Sequence, residues 1–136
     1  MKKMVLLYNF SGERLSGVKR ALIPLKAIAK EVEKAAYGEK LGCLVGAEGY
    51  VPTGAAAEDF AEELLVMSGF DGNDIEQLIH GLRKYGVGRV ALKAVITPTN
   101  IDWNSSELYH AVRADHEEMQ KRKVQNEKLR MEKYFN

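Results

Sequence analysis

A chain of 136 residues with 46% apolar content suits one globular domain with its own core. With 20 basic and 19 acidic residues and a net charge of +1, it has no bulk field to draw nucleic acid, a membrane surface or an acidic substrate. The opening Met1-Lys2-Lys3-Met4-Val5-Leu6-Leu7 is too short for a secretory leader, nothing approaches the roughly 20 apolar residues of a membrane span, and Cys43 lacks a disulfide partner, which together point to a reducing cytoplasm.

Met4 to Tyr8 is almost wholly apolar and bounded by Asn9 and Ser11-Gly12, as a central strand covered on both faces would be. Leu15, Val18 and Leu22, with Ala21 and Leu25 beside them, recur at the spacing of a helical stripe, and Pro24 ends that helix near Ala21 to Ile23. From Lys26 to Lys34, helix-favouring Ala, Lys and Glu compete with Ile28 and Val32, and the context favours a short edge strand. Tyr37, Leu41, Leu44 and Val45 fit a short helix stopped by Gly46. Gly46 to Phe60 reads as a loop punctuated by Gly49, Pro52 and Gly54, with room for a turn of helix in its Ala- and Glu-rich part. Loops of that length are uncommon unless functional or mobile.

Leu64-Leu65-Val66-Met67 is the second buried strand, and Ser68-Gly69-Phe70 turns it into the best helix of the chain. Asp71 or Asn73 caps that helix, Ile75, Leu78, Ile79 and Leu82 form its core stripe, and Gly86 closes it after Arg83-Lys84. Val90 to Ile96 is the next strand, and Asn104 with Glu107 makes a capping pair for the last helix. That helix sets Leu108, Ala111 and Val112 against the body, whereas beyond Arg113 the apolar residues thin to Met119, Val124, Leu129 and Met131 without a steady heptad. Residues 1–113 therefore read as one α/β domain and 114–136 as a solvated helical extension, whose terminal Tyr134 and Phe135 leave room for a partner or a homodimer contact. Its Lys121-Arg122-Lys123 run is nearly cancelled by Asp115, Glu117, Glu118, Glu127 and Glu132, so nucleic acid is not expected there. No internal repeat or low-complexity tract is visible.

Motif searches mostly exclude chemistry. Gly86-Val87-Gly88-Arg89-Val90-Ala91 spells a dinucleotide fingerprint, but it closes a helix and opens a strand, the reverse of what pyrophosphate on a helix N-terminus requires. There is no Walker lysine loop, and the sequon Asn104-Ser105-Ser106 is idle outside the secretory path. His80 stands alone on a helix, and His110 and His116 fall on different sides of another, so neither a metal site nor any cofactor is expected. Cys43 lies among Leu41, Leu44 and Val45 and reads as a buried thiol. Ser68 sits where a nucleophile elbow would, but Met67-Ser68-Gly69 lacks the preceding glycine of that motif, and no catalytic residue is assigned.

One positive constellation remains. In an open parallel sheet, ligands bind beyond the carboxyl ends of the strands, which here offer Asn9, Ser68-Gly69 and Thr97-Pro98-Thr99-Asn100, with Trp103 as an apolar wall. Glu13, Asp71, Asp74, Asp102 and Glu107 already occupy the helix N-terminal turns, so a neutral small molecule or a protein partner suits the crevice better than a phosphate. Lys93 is out of place in Val90-Ala91-Leu92-Lys93-Ala94-Val95, and an edge-strand gatekeeper outweighs a functional amine. The element order fits a small four-stranded, mainly parallel sheet with helices on both faces, a long C-terminal helix and all strand tips gathered at one end. The alternative is a ferredoxin-like α+β sheet. A phospho-receiver needs aspartates where Asn9 and Ser68 stand.

Several blocks carry a resemblance: Val5-Leu6-Leu7-Tyr8-Asn9-Phe10, Tyr37-Gly38-Glu39-Lys40-Leu41-Gly42, Glu63 to Phe70, and Gly86 to Asn100 with Trp103, Leu108 and Tyr109. Over nearly everything before the tail, the chain resembles a small bacterial domain of unknown function, number 3783. That resemblance implies no activity or substrate, but it places Lys93, Thr97, Thr99, Asn100 and Trp103 in a signature. The leading expectation is a cytoplasmic, non-enzymatic binding or regulatory domain with ligand contacts at Asn9, Ser68, Gly69, Lys93, Thr97, Thr99, Asn100 and Trp103. A small enzyme using Lys93 and Ser68, and an adaptor working through the terminal helix and the Gly46–Phe60 loop, are the alternatives.

Overall fold

The computed structural model describes residues 2–135, with side chains followed to Glu132; the side chains of Tyr134 and Phe135 lie outside the described residues. Strand β1 (Met4–Tyr8) leads into helix α1 (Gly12–Leu22) and edge strand β2 (Ile28–Glu31). A 3-10 turn (Lys34–Ala36) and the short helix α2 (Leu41–Leu44) follow. The second run is β3 (Leu64–Ser68), α3 (Gly72–Lys84), β4 (Leu92–Val95) and α4 (Ser105–Phe135). Every expected element is present, although β4 is shorter than its apolar run and the Ala- and Glu-rich stretch before β3 takes no helical turn.

The sheet runs β2-β1-β3-β4. β1 pairs with β2 in parallel and β3 with β4 in parallel, while β1 and β3 meet antiparallel, with Met4 beside Ser68 and Tyr8 beside Leu64. The class is therefore α/β with a mixed, mostly parallel sheet. One expectation is corrected: the four strands do not all point one way, so the carboxyl end of β1 lies at the opposite end of the sheet from those of β3 and β4. Helices cover both faces, which also excludes the ferredoxin-like arrangement. α1 and α3 pack on one face over Val5, Leu7, Leu65 and Met67, and α2 and the first turns of α4 cover Leu6, Tyr8, Leu64 and Val66 on the other. Alternation along fully buried strands sends successive side chains into the two cores.

A repeat that the letters hide emerges from the geometry. In each half the strand is followed at once by a residue with positive φ, Asn9 at 64° and Gly69 at 75°, then by Phe10 or Phe70 and the helix N-caps Ser11 or Asp71. Each helix also ends alike: Lys26 and Gly86 are left-handed at φ 54° and 78°, and Ala27 and Val87 donate their amides back to Leu22 and Leu82. The amide of Val32 bonds the Leu7 carbonyl as that of Ile96 bonds Met67, both at 2.9 Å. Matching residues meet each other in all three layers: Leu6 pairs with Val66 in the sheet, Lys40 bridges to Asn104 before α2 and α4, and a Cβ on Gly81 would lie 3.0 Å from the Ala21 side chain. The two β-α-β-helix halves are thus related by a pseudo-twofold axis through the β1–β3 junction. The sequence reading of no repeat is corrected, because apolar positions coincide while few letters do.

The segment between α2 and β3 is held down rather than loose. The Glu39 carboxylate accepts the amides of Thr53 and Gly54 at 2.8 and 2.9 Å and the Thr53 hydroxyl at 2.8 Å. Those bonds, first the Thr53 amide, hold its pKa below the usual glutamate range. A depressed folded-state pKa gives stability that is present above the unfolded value and lost as pH falls through the folded one. At neutral pH, Glu39→Gln should therefore speed hydrogen exchange at Thr53 and Gly54 and leave the β3 amides protected. Unchanged exchange at both loop amides would contradict this clamp.

Beyond Arg113, α4 stands in solvent, with Met119, Val124, Leu129 and Met131 all exposed. Successive residues turn by about 100°, so Val124 and Met131 share one side of the helix while Met119 and Leu129 fall on two others, and the four form no continuous stripe. No described helix is long and apolar enough to cross a membrane.

Candidate functional site

Because β3 and β4 run parallel, Ser68, Gly69 and Thr97 come together at their carboxyl ends, where they line a cavity of about 870 Å³. Its remaining walls are mainly apolar: Phe70 from the turn into α3, Ile96 and Ile101 around the turn after β4, and Val45 at the end of α2. Lys2 and Asp71 sit at the same opening with opposite charges. Sequence reasoning missed Phe70, Val45 and Ile101, whose apolar character reads as core. The one available signal was the aromatic following each strand, Phe10 and Phe70.

The turn that shapes the cavity is closed by Asn100. Its buried side chain accepts the Thr97 amide at 2.9 Å and donates to the Val95 carbonyl at 3.0 Å, while its own amide donates to the Thr97 hydroxyl at 3.2 Å. Thr97 can thus still donate its hydroxyl proton to a ligand. Thr99 is exposed at the tip of this turn. Lys93, Asn100 and Trp103 line a different groove of about 380 Å³, between β4 and α4, with Asp115, His116 and Met119. The Lys93 amine turns back onto the Val90 carbonyl, and burial, aided by the Arg89 charge, lowers its pKa. Trp103 gives its carbonyl to the Leu41 amide at 2.8 Å, so it also joins α2 to the turn before α4.

Asn9 leaves the group. The antiparallel β1–β3 junction carries it to the far end of the sheet, where its amide donates to the carbonyls of Phe60 and Glu62 at 2.8 and 2.9 Å. It pins the segment entering β3, and its φ of 64° suits an asparagine. The expected single crevice thus resolves into three places: Ser68, Gly69 and Thr97 in the cavity, Lys93 and Trp103 in the groove, and Asn9 in the opposite core edge. Asn100 stands between the first two.

Electrostatics at the cavity disfavours an anion. Asp71 accepts the Asp74 amide at 2.8 Å and Asp74 accepts the Asp71 amide at 3.0 Å, a reciprocal cap that occupies the start of α3 with carboxylates. Lys3 bonds Asp74 at 2.8 Å and is the first cause of its lowered pKa, so that lysine is already engaged. Cys43 is half-buried and single.

Residues 63–119 match the model of a family described as Domain of unknown function (DUF3783). The match opens just before β3 and closes within α4, so it takes in the second half of the pseudo-symmetric pair. No curated protein and no solved structure matches the chain.

Proposed function

We propose that the protein is a non-enzymatic binding domain whose ligand, a neutral small molecule, sits in the cavity at the carboxyl ends of β3 and β4. The observation that carries this reading is the convergence of Ser68, Gly69 and Thr97 on one apolar-walled hollow. Mixed linings of that size, with a few polar groups among hydrophobic walls, are the usual form of small-molecule sites. The carboxylates at the start of α3 favour an uncharged occupant. A single, half-buried cysteine supports a cytoplasmic setting.

The alternatives gain less support. Ser68 and Lys93, the groups an amine–hydroxyl chemistry would join, line different depressions. Contact through α4 lacks a continuous apolar face over its exposed portion.

A thermal-shift screen of uncharged metabolites tests the reading. A true ligand at a hundred times its Kd should add about 2.7 kcal/mol of stability by mass action. It should also shift the amides of Ser68, Gly69 and Thr97 in ¹H–¹⁵N spectra. Shifts confined to the Lys93 and Trp103 groove, or no stabilisation by any compound, would count against the cavity.

A further inference from the structure

The duplication bears on what the cavity holds, an inference that rests on reading it as a ligand site. At the other end of the sheet, the matching place is filled by four rings of this chain. Phe60 lies 4.1 Å from Tyr109 with the rings parallel, 4.7 Å from Tyr37 and 5.5 Å from Tyr8, measured between ring centres. Each neighbour of Phe60 has a smaller counterpart across the pseudo-twofold axis. Ser68 ends β3 where Tyr8 ends β1. Ile101 gives its carbonyl to Gly42 at the start of α2, as Tyr37 gives its own to Ser105 at the start of α4. Val45, the residue just after α2, follows the first residue of that helix at the same spacing as Tyr109 follows the first of α4.

Ser68, Ile101 and Val45 all line the cavity. One framework therefore appears twice, packed with rings at one end and hollow at the other. The hollow lies where the other half carries its larger rings, and it is walled by Phe70, Ile96, Ile101 and Val45.

We propose that the cavity binds a planar aromatic ring carrying a hydrogen-bonding group, of the phenol or indole class, brought by a small molecule. The Ser68 and Thr97 hydroxyls are the groups that would meet its polar atom. A peptide threading in as the Phe60 segment does is disfavoured, because that track is taken. The Lys2 carbonyl runs so close to Gly69 that a Cβ there would lie 2.7 Å away. A free ring needs no such track.

The test uses indole and p-cresol as probes and cyclohexanol as a saturated control, with the full chain followed by ¹H–¹⁵N titration. Both aromatic probes should shift the amides of Ser68, Gly69, Thr97 and Ile101 and bind about tenfold tighter than cyclohexanol. Ile101→Tyr, which restores the missing ring of the other half, should weaken both about tenfold. Ser68→Tyr serves the same purpose if the first variant does not fold. Equal binding of cyclohexanol at these amides would overturn the aromatic preference while leaving a ligand site in place. Failure of all three probes, together with an empty metabolite screen, would overturn the site as well.

Discussion

Replacing Phe60 with alanine is expected to remove about 3–5 kcal/mol of stability, the usual range for truncating a buried phenylalanine. The ring is nearly inaccessible and stacked on Tyr37 and Tyr109, and Tyr109 in turn bonds Glu62 at 2.7 Å. Neighbours anchored on both sides cannot collapse into the space, which puts the cost at the upper part of that range. Urea unfolding should show a lower midpoint with an unchanged slope. The variant should also acquire a second hollow at the β1 end and bind an extra equivalent of any aromatic compound the wild type accepts. A loss below about 1 kcal/mol would mean that the stack is not a packed core.

Leu6→Ala should cost about 2–5 kcal/mol. Leu6 is completely buried and pairs with Val66 across the antiparallel junction, so its side chain belongs to both halves at once. A domain of this size has roughly 5–15 kcal/mol in total, so the variant should be largely unfolded near its growth temperature if the wild type sits at the low end. Leu6→Met, which keeps the volume, should cost less than about 1.5 kcal/mol. Similar midpoints for the two variants in urea would show that volume at the junction does not decide stability.

The elements were legible because burial and capping write themselves into the letters. Met4 to Tyr8 and Leu64 to Met67 are unbroken apolar runs, and Asp71 with Asp74 forms the reciprocal cap that opens α3. Strand direction was not legible. An apolar run states that both faces are covered, not which way its neighbour points, and the long Gly46–Glu63 connection permits either sense. That single ambiguity misplaced Asn9 while leaving Ser68, Gly69 and Thr97 together, since the connection through α3 is a crossover between neighbouring parallel strands β3 and β4. The duplication was hidden for a related reason. Val5 and Leu65, Leu7 and Met67, and Val18 and Leu78 are interchangeable as core volume yet differ as letters.

The antiparallel seam between β1 and β3 gives the chain the organisation of a dimer whose two subunits share one backbone. The stretch from Gly46 to Glu63 is the tether, and it keeps the local concentration of each partner for the other high at any dilution. Assembly of the two units is consequently a first-order event, independent of how much protein is present. A domain built of one such unit alone would present the bare, apolar edge of its central strand and would have to recruit a twin to cover it.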